Sequence, residues 1–163
     1  MVRAVAVVVG AVAGVGVVML ALLVAGMRWK LPAVIDAVRR LNRSLTNPRV
    51  LRSAGSAGAQ TSIIRHVGRT SGRTYETPVD TIPALDGVLI ALPYGTRADW
   101  LRNVLTAGRA TIVSGGESFD VDEPIIAATA EVAPQIPART LQTLRLFGVT
   151  ECLHVRRTTD GPG

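Results

Sequence analysis

The stretch "HVGRTSGRTYETPVD", residues 66–80, joins two extended segments through a loop that is rich in charge. A plain hairpin turn needs only Asn-Gly or Asp-Gly, whereas this loop places two arginines, two hydroxyl side chains and a glycine at residues 69–73. Small residues expose backbone N–H groups, which together with the arginines suit a phosphate or a carboxylate. A solvated basic turn that faces lipid headgroups explains the same residues, and the loop alone leaves both interpretations open.

The segments around this loop predict short strands with few helices. "SIIRHVG" precedes the loop and "YETPVDTIPAL" follows it, and Asp86-Gly87 predicts a hairpin turn into "VLIALPY". A helix is predicted over "RADWLRNVLTAG", with Gly108 as its C-terminal stop. The strands "RATIVS" and "ESFDVDE", a helix over "APQIPARTLQTLRLFG" and the strand "ECLHVRR" complete the chain. Mostly antiparallel strands with one or two crossover helices predict an α+β fold built on a small barrel.

The N-terminal residues 4–27 form an apolar run without any charged residue. At about 1.5 Å per residue this run is long enough to cross a hydrocarbon core of about 30 Å. A cleaved signal peptide is the alternative, but its apolar core is usually about 7–15 residues long. We therefore expect a retained, single-pass transmembrane helix over residues 4–27. Gly10 and Gly14 have the spacing of a helix-dimerisation face, which leaves a homodimer open, although small residues are common in membrane helices generally.

Positive charge follows directly after this run. Residues 28–73 carry ten lysines and arginines against one acid, so the positive-inside rule places the remaining chain in the cytoplasm. Attraction to anionic membrane lipids accounts for the pI of about 10.9 without invoking nucleic acid as a partner. The sequence thus divides into an anchor at 4–27, a juxtamembrane amphipathic helix and linker at 28–60, a barrel domain at 61–158 and a tail at 159–163.

The chemically reactive side chains form no persuasive catalytic or metal-binding group. His66 and His154 are isolated imidazoles in predicted strands, and Asp120, Asp122 and Glu123 lie on a predicted hairpin, where a solvated edge explains them. A single cysteine, Cys152, excludes an intramolecular disulfide and fits a reducing compartment. The sequence therefore assigns neither a catalytic residue nor a metal site.

Two motifs in order, "GRTSGRTYETPV" and "PYGTRADWLRNVLTAGRATI", resemble the deazaflavin-dependent nitroreductase family, which is abundant in actinobacteria. Members have a Gly-Arg-x-Ser-Gly loop before a strand with a Thr-Pro pair, and a later helix with Trp-x-x-Asn. The likeness covers residues 63 to about 113, with a weaker echo in "FGVTECLHVRR". It implies a split β-barrel of the FMN- or F420-binding type.

The resemblance also implies a cofactor, coenzyme F420 (8-hydroxy-5-deazaflavin), with FMN as the alternative. The loop would meet the polar tail or phosphate, the Thr-Pro strand would lie along the ring, the next strand would border it, and the helix would close the pocket. The implied contacts, in that order, are Arg69, Thr70, Ser71, Gly72 and Arg73; Thr77, Pro78 and Val79; Pro93, Tyr94 and Gly95; and Trp100 and Asn103.

The expected function is a membrane-anchored oxidoreductase that transfers a hydride from the reduced deazaflavin to a quinone-like or nitro acceptor. The cofactor would supply the hydride while the protein positions it. Many members have tyrosine where this chain has Leu101, which motivates two alternatives. The first is a cofactor-binding or carrier barrel without turnover, and the second is a relative that binds FMN.

Overall fold

All the strands of the structure belong to one sheet. The structure is a computed structural model that describes residues 16–41, 51 and 53–158. The strands are β1 Ser62–Val67, β2 Thr74–Val79, β3 Thr81–Pro83, β4 Gly87–Ala91, β5 Arg109–Ser114, β6 Glu117–Ala128 and β7 Glu151–Arg157. The helices within these residues are α1 Gly16–Arg28, α2 Pro32–Leu41, α3 Asp99–Ala107, α4 Thr129–Val132 and α5 Ala138–Leu146, with a 3₁₀ turn at Ala133–Gln135.

The sheet is antiparallel throughout and rolls up on itself. Its strand order is β2-β1-β5-β6-β7-β4-β3, so β2 and β3 form the two opposite edges. Across a flat sheet of seven strands these edges would be about 29 Å apart. Only Asp80 separates the two strands in the chain, and two peptide units span at most about 7.6 Å. The edges must therefore meet at Asp80, which closes this end of the sheet into a barrel.

A chain of hydroxyl groups holds the closed corner together. Ser62 Oγ on β1 lies 2.8 Å from Thr81 Oγ1 on β3 and donates to Ser114 Oγ on β5 at 2.8 Å. The side chain of Ser62 is 2% exposed, so these bonds satisfy a hydroxyl that water does not reach. These bonds thereby connect β1 and β5, which are neighbours in the sheet, to β3 at its opposite edge.

The barrel interior contains the larger of two apolar clusters. Ile64, Ile90, Ile112, Val121 and Leu153 meet there and are nearly or fully buried. Helix α3 packs against β1, β5 and β6, and it inserts Leu101 and Val104 into the same cluster. The helix ends at Gly108, which adopts φ of 70° and donates its N–H to the Val104 carbonyl at 2.9 Å. The core of the barrel is thus closed by a helix.

A second cluster covers the outer face of β4 and β7. Leu89 and Cys152 point to this side, opposite to Ile90 and Leu153. Val132, Ile136 and Leu144, from the segment of α4 to α5, bury them. Because these two strands are covered on both faces, neighbouring residues are buried in succession, Val88–Ile90 in β4 and Cys152–Leu153 in β7.

The C-terminal end of α1 packs onto the end of α5 and the turn that precedes β7. Arg28 donates to the Arg145 carbonyl at 2.8 Å, and Lys30 Nζ donates to Thr150 Oγ1 at 3.1 Å. Met27 is 6% exposed, whereas the large side chains between Val17 and Leu23 are exposed. The last turn of α1 therefore belongs to the folded unit, while its preceding turns present apolar surface.

The predicted transmembrane helix is tested only in part. Among residues 16–41, 51 and 53–158, no single helix has the length and apolar character needed to cross a membrane. Helix α1 and residues Pro32–Val38 together meet that requirement, but they are bent by 112° at the break between them. Residues 4–15 of the predicted anchor lie outside the described residues, so an anchor over 4–27 stays a prediction.

The predicted fold class is confirmed at the level of an α+β protein with a curled, antiparallel sheet. The prediction of six strands was wrong, because "YETPVDTIPAL" contains two strands that lie on opposite edges. Residues 53–60, in the segment predicted to contain a linker, are mostly exposed but are tied to the sheet by backbone hydrogen bonds. Gly55 donates its N–H to the Thr61 carbonyl at 2.8 Å and accepts from the Gly116 N–H at 2.6 Å. Residues 42–50 of the predicted amphipathic segment lie outside the described residues.

Helix α3 offers a matched test of the barrel core. Leu101 is fully buried and Leu105, one turn later, is 36% exposed. We expect Leu101→Ala to lower the free energy of unfolding by about 2–5 kcal/mol, since it leaves a cavity. Leu105→Ala should lower the free energy of unfolding much less. Urea denaturation measures both values. Equal losses for the two variants would contradict the role of α3 as part of the core.

Candidate functional site

A cavity of about 540 Å³ opens beside the corner where the barrel closes. Three groups of residues line it: the β2–β3 corner, the segment from β4 to α3, and the ends of α1 and α5. Its walls are Met27, Thr61, Pro78, Val79, Asp80, Ile82, Ile90, Ala91, Leu92, Pro93, Tyr94, Gly95, Ala98, Trp100, Thr140, Thr143, Leu144, Phe147 and Val149. This volume lies within the range of about 300–1,000 Å³ that small-molecule sites occupy.

The cavity brings together one part of the predicted site. Six of the thirteen residues predicted to contact a cofactor line it, and they come from three separate segments. They are Pro78, Val79, Pro93, Tyr94, Gly95 and Trp100. Pro78 lies on edge strand β2, where a residue without an N–H group costs no ladder bond on the outer side. The predicted ring-contacting residues other than Thr77 are therefore neighbours in space.

The remaining predicted residues do not line the cavity. The loop residues Arg69, Thr70, Ser71, Gly72 and Arg73 lie at the other end of β2. Gly68 donates its N–H to the Arg73 carbonyl at 2.8 Å, and Gly72 adopts φ of 66°. A Cβ atom on Gly68 would overlap Ser71 Oγ and lie 2.7 Å from Tyr75 Cε2, so a larger residue there would displace these two side chains. The loop is thus a tight, ordered turn.

Arg69 is engaged with helix α3. Its guanidinium donates to Asn103 Oδ1 at 2.9 Å and to Asp99 Oδ1 at 3.1 Å, and its backbone N–H donates to Asn103 Oδ1 at 3.2 Å. These bonds anchor the loop to the first turns of the helix. Arg73 is exposed and makes no side-chain hydrogen bond or ion pair with any residue that the structure describes. Of the two predicted anion-binding arginines, Arg73 has the guanidinium that is available.

Asn103 and Thr77 hold a buried histidine instead of facing the cavity. The Asn103 Nδ2 amide lies 3.2 Å from His66 Nδ1, and His66 Nε2 lies 3.2 Å from Thr77 Oγ1. Because an amide nitrogen only donates, Nδ1 is the unprotonated nitrogen and Nε2–H donates to Thr77. The ring also stacks on Tyr75, with centroids 5.9 Å apart. Burial lowers the pKa of His66 below its ordinary value, so the neutral tautomer is favoured.

Helix α3 connects the cavity to the loop. Trp100 lines the cavity, while Asp99 and Asn103 on the same helix hold Arg69. Helix α3 therefore contacts both the cavity and the loop, and the two groups of predicted residues are separate in space.

Several lining residues were not predicted from the sequence. Met27, Thr140, Thr143 and Leu144 come from α1 and α5, which no motif connects to the central strands, and Phe147 begins the weaker echo "FGVTECLHVRR". Helix residues of these types are indistinguishable in sequence from ordinary core or surface residues. Asp80 could have been found from the sequence, because it follows directly after the Thr-Pro strand in the stretch of residues 66–80.

Other reactive groups lie elsewhere. No group of three or more His, Cys, Asp or Glu residues able to hold a metal ion occurs in the described part of the chain. Cys152 is buried beside Thr129, and burial raises the pKa of its thiol. His154 pairs with Asp86 at 2.9 Å on the outside of the sheet. None of these groups reaches the cavity.

No family model matches the chain, and no curated protein sequence matches it. Several solved structures resemble part of it, among them HutZ and Atu2129. HutZ, a heme storage protein from Vibrio cholerae, is 14% identical with a TM-score of 0.46, over 64% of this chain and 84% of that one. The protein Atu2129 of unknown function from Agrobacterium tumefaciens str. C58 is 18% identical with a TM-score of 0.46, over 63% of this chain and 49% of that one. This chain thus spans about half the length of Atu2129, and likeness at this level assigns neither family nor activity.

The buried His66 predicts how stability depends on pH. Its pKa is lower in the folded chain than the value of 6.5 that it has when exposed. As pH falls below about 6.5, the unfolded chain therefore takes up a proton that the folded chain resists. The free energy of unfolding should keep its full value above pH 6.5. It should decrease as the pH falls from 6.5 towards the lowered pKa of His66 in the folded chain. Urea denaturation at pH 7.5, 6.5 and 5.5 measures this.

The chain offers a matched control, since His154 is its other histidine. His66→Gln should make the stability flat across this pH range, whereas His154→Gln should preserve the fall. A fall that persists in His66→Gln would show that another group causes it.

Proposed function

We propose that this chain is a cofactor-binding barrel that holds a planar ring cofactor in the cavity. Coenzyme F420 is the first candidate and FMN the second. The observation that carries this proposal is that three separate segments expected to contact a deazaflavin ring supply walls of one cavity. A ring ligand needs apolar, rigid surfaces on its faces and few polar groups at its edge, and this lining has that character.

The residues present fit the ring part of such a cofactor. Trp100, Tyr94 and Phe147 provide aromatic surface, and Pro78 and Pro93 provide rigid surface without N–H groups. Leu101, which replaces the tyrosine of many nitroreductases, is fully buried in the barrel core. A leucine in place of tyrosine at this position therefore removes no side chain from the cavity lining.

The fit to an anionic tail depends on Arg73. Arg69 is committed to Asp99 and Asn103, so it would support the loop rather than bind the tail. The guanidinium of Arg73 offers the chemistry of a phosphate or carboxylate contact. We assign the tail contact to Arg73 and a positioning role to Arg69.

A second candidate function is hydride transfer to a quinone-like or nitro acceptor. When bound in its reduced form, F420 supplies the hydride, and the protein need only bind, orient and exclude water. The specific observation in favour is that Met27, at the end of the apolar α1, lines the cavity. An acceptor dissolved in lipid would reach the site along that helix. Membrane localisation, with the barrel in the cytoplasm, is part of this second proposal.

Filling the cavity tests the ring site. Thr140 lines it from α5, whereas Gln142 lies exposed on the same helix outside it. Full-length protein in neutral detergent is titrated with F420, FMN and hemin, with binding followed by fluorescence or absorbance. Thr140→Trp should abolish binding of the ring ligand, and Gln142→Trp should leave it unchanged. Equal binding by both variants would exclude the cavity, and binding of hemin alone would overturn the deazaflavin assignment.

Substitutions of the two loop arginines should affect different properties, ligand binding for Arg73 and stability for Arg69. Arg73→Ala should weaken F420 binding about tenfold, the effect of one charge-assisted hydrogen bond, while stability stays within about 0.5 kcal/mol. Arg69→Ala should lower the free energy of unfolding by about 1 kcal/mol, because its partners on α3 are lost. Fluorescence titration and urea denaturation measure the two effects. Arg109→Ala, an exposed arginine on β5, is the control for charge removal.

A further inference from the structure

Asp80 has an unusual position among the acidic residues. It is the one residue between the two edge strands, and it is the only charged side chain among the described residues that line the cavity. The pairing of Val79 with Ser62 fixes the backbone on one side, and the Ser62–Thr81 contact fixes it on the other. The backbone of Asp80 is thus fixed on both sides, and its exposed carboxylate lies at the solvent-facing rim of the cavity.

The carboxylate of Asp80 has little to neutralise it. Its only hydrogen bond to a described residue comes from Thr61 Oγ1, at 3.3 Å to Oδ1. No lysine or arginine of the described segments lies within ion-pair distance of it. Asp99, in contrast, is paired with Arg69, and Asp86 with Arg156. One oxygen of Asp80 thus remains an acceptor without a partner in the described part of the chain.

We infer that Asp80 selects the ligand of the cavity, favouring rings that present an N–H donor or a positive charge and disfavouring rings that carry a negative charge. The inference rests on the proposed ring site and narrows its ligand class. A ligand that covers the rim replaces water around the carboxylate, which strengthens a charge-assisted hydrogen bond and penalises a like charge. The Asp80 carboxylate then discriminates between ligands, because it attracts a donor or a positive charge and repels a negative charge.

The same electrostatics separate the ring from any anionic tail. A phosphate or carboxylate chain held beside Asp80 would face an unneutralised negative charge, whereas Arg73 on the loop offers a positive one. The cavity therefore takes the ring edge with donors, and the anionic part of a ligand lies outside it.

Two tricyclic probes of opposite charge test this preference. 9-Aminoacridine is a cation with an amino donor at neutral pH, and 9-anthracenecarboxylate is an anion with the same number of fused rings. Both are titrated by fluorescence into full-length protein in neutral detergent, and binding to Thr140→Trp is subtracted as background. The wild type should bind the cation at least about tenfold more tightly than the anion, the effect of one charge-assisted hydrogen bond.

Three variants assign the preference to one carboxylate. Asp80→Asn should reduce the preference about tenfold, Asp80→Glu should retain most of it, and Glu117→Gln, which removes an exposed charge outside the cavity, should leave it unchanged. Thermal unfolding confirms that each variant is folded. Equal affinities in the wild type, or an unchanged preference in Asp80→Asn, would overturn the role of Asp80 and leave the ring site intact. Binding of neither probe above background would overturn the ring site and this inference together.

Discussion

The structure depends on one covalent constraint, which is the single residue between β2 and β3. Two strands at opposite edges of a seven-stranded sheet cannot be one residue apart unless the sheet curls until its edges touch. The hydroxyl contacts of Ser62 with Thr81 and Ser114 then hold the corner by side-chain bonds as well. Curvature of the sheet is therefore imposed by chain connectivity, with twist and packing adjusting to it.

The position of the cavity follows from this closure. Where two sheet edges converge without a full ladder between them, side chains on either side leave space that neighbouring elements must cover. Trp100 on α3, Leu144 on α5 and Met27 on α1 supply that cover. The barrel interior itself is filled by Leu101 and Val104, so the available volume lies at the corner and not in the centre of the barrel.

Local features of the fold were predictable from the sequence, and long-range features were not. The hairpin between β3 and β4 and the stop at Gly108 depend on a few adjacent residues, and both occur, although the hairpin loop is residues 84–86 and Gly87 already belongs to β4. The division of "YETPVDTIPAL" into two strands was missed, although Pro78 and Pro83 are each typical of an edge strand. Arg69 and Arg73 are equivalent in sequence, and only the position of Asp99 and Asn103 on α3 separates a supporting residue from an available one.

The contact between α1 and the cavity makes the N-terminal segment part of the site. Arg28 and Lys30 fix the end of the helix to the turn before β7, and this places Met27 in the cavity wall. The turns before it expose a continuous apolar surface from Val17 to Leu23, which is unfavourable in water. Met27 lies on the same helix as this surface, so the position of α1 sets both where the apolar turns lie and how the cavity wall is formed.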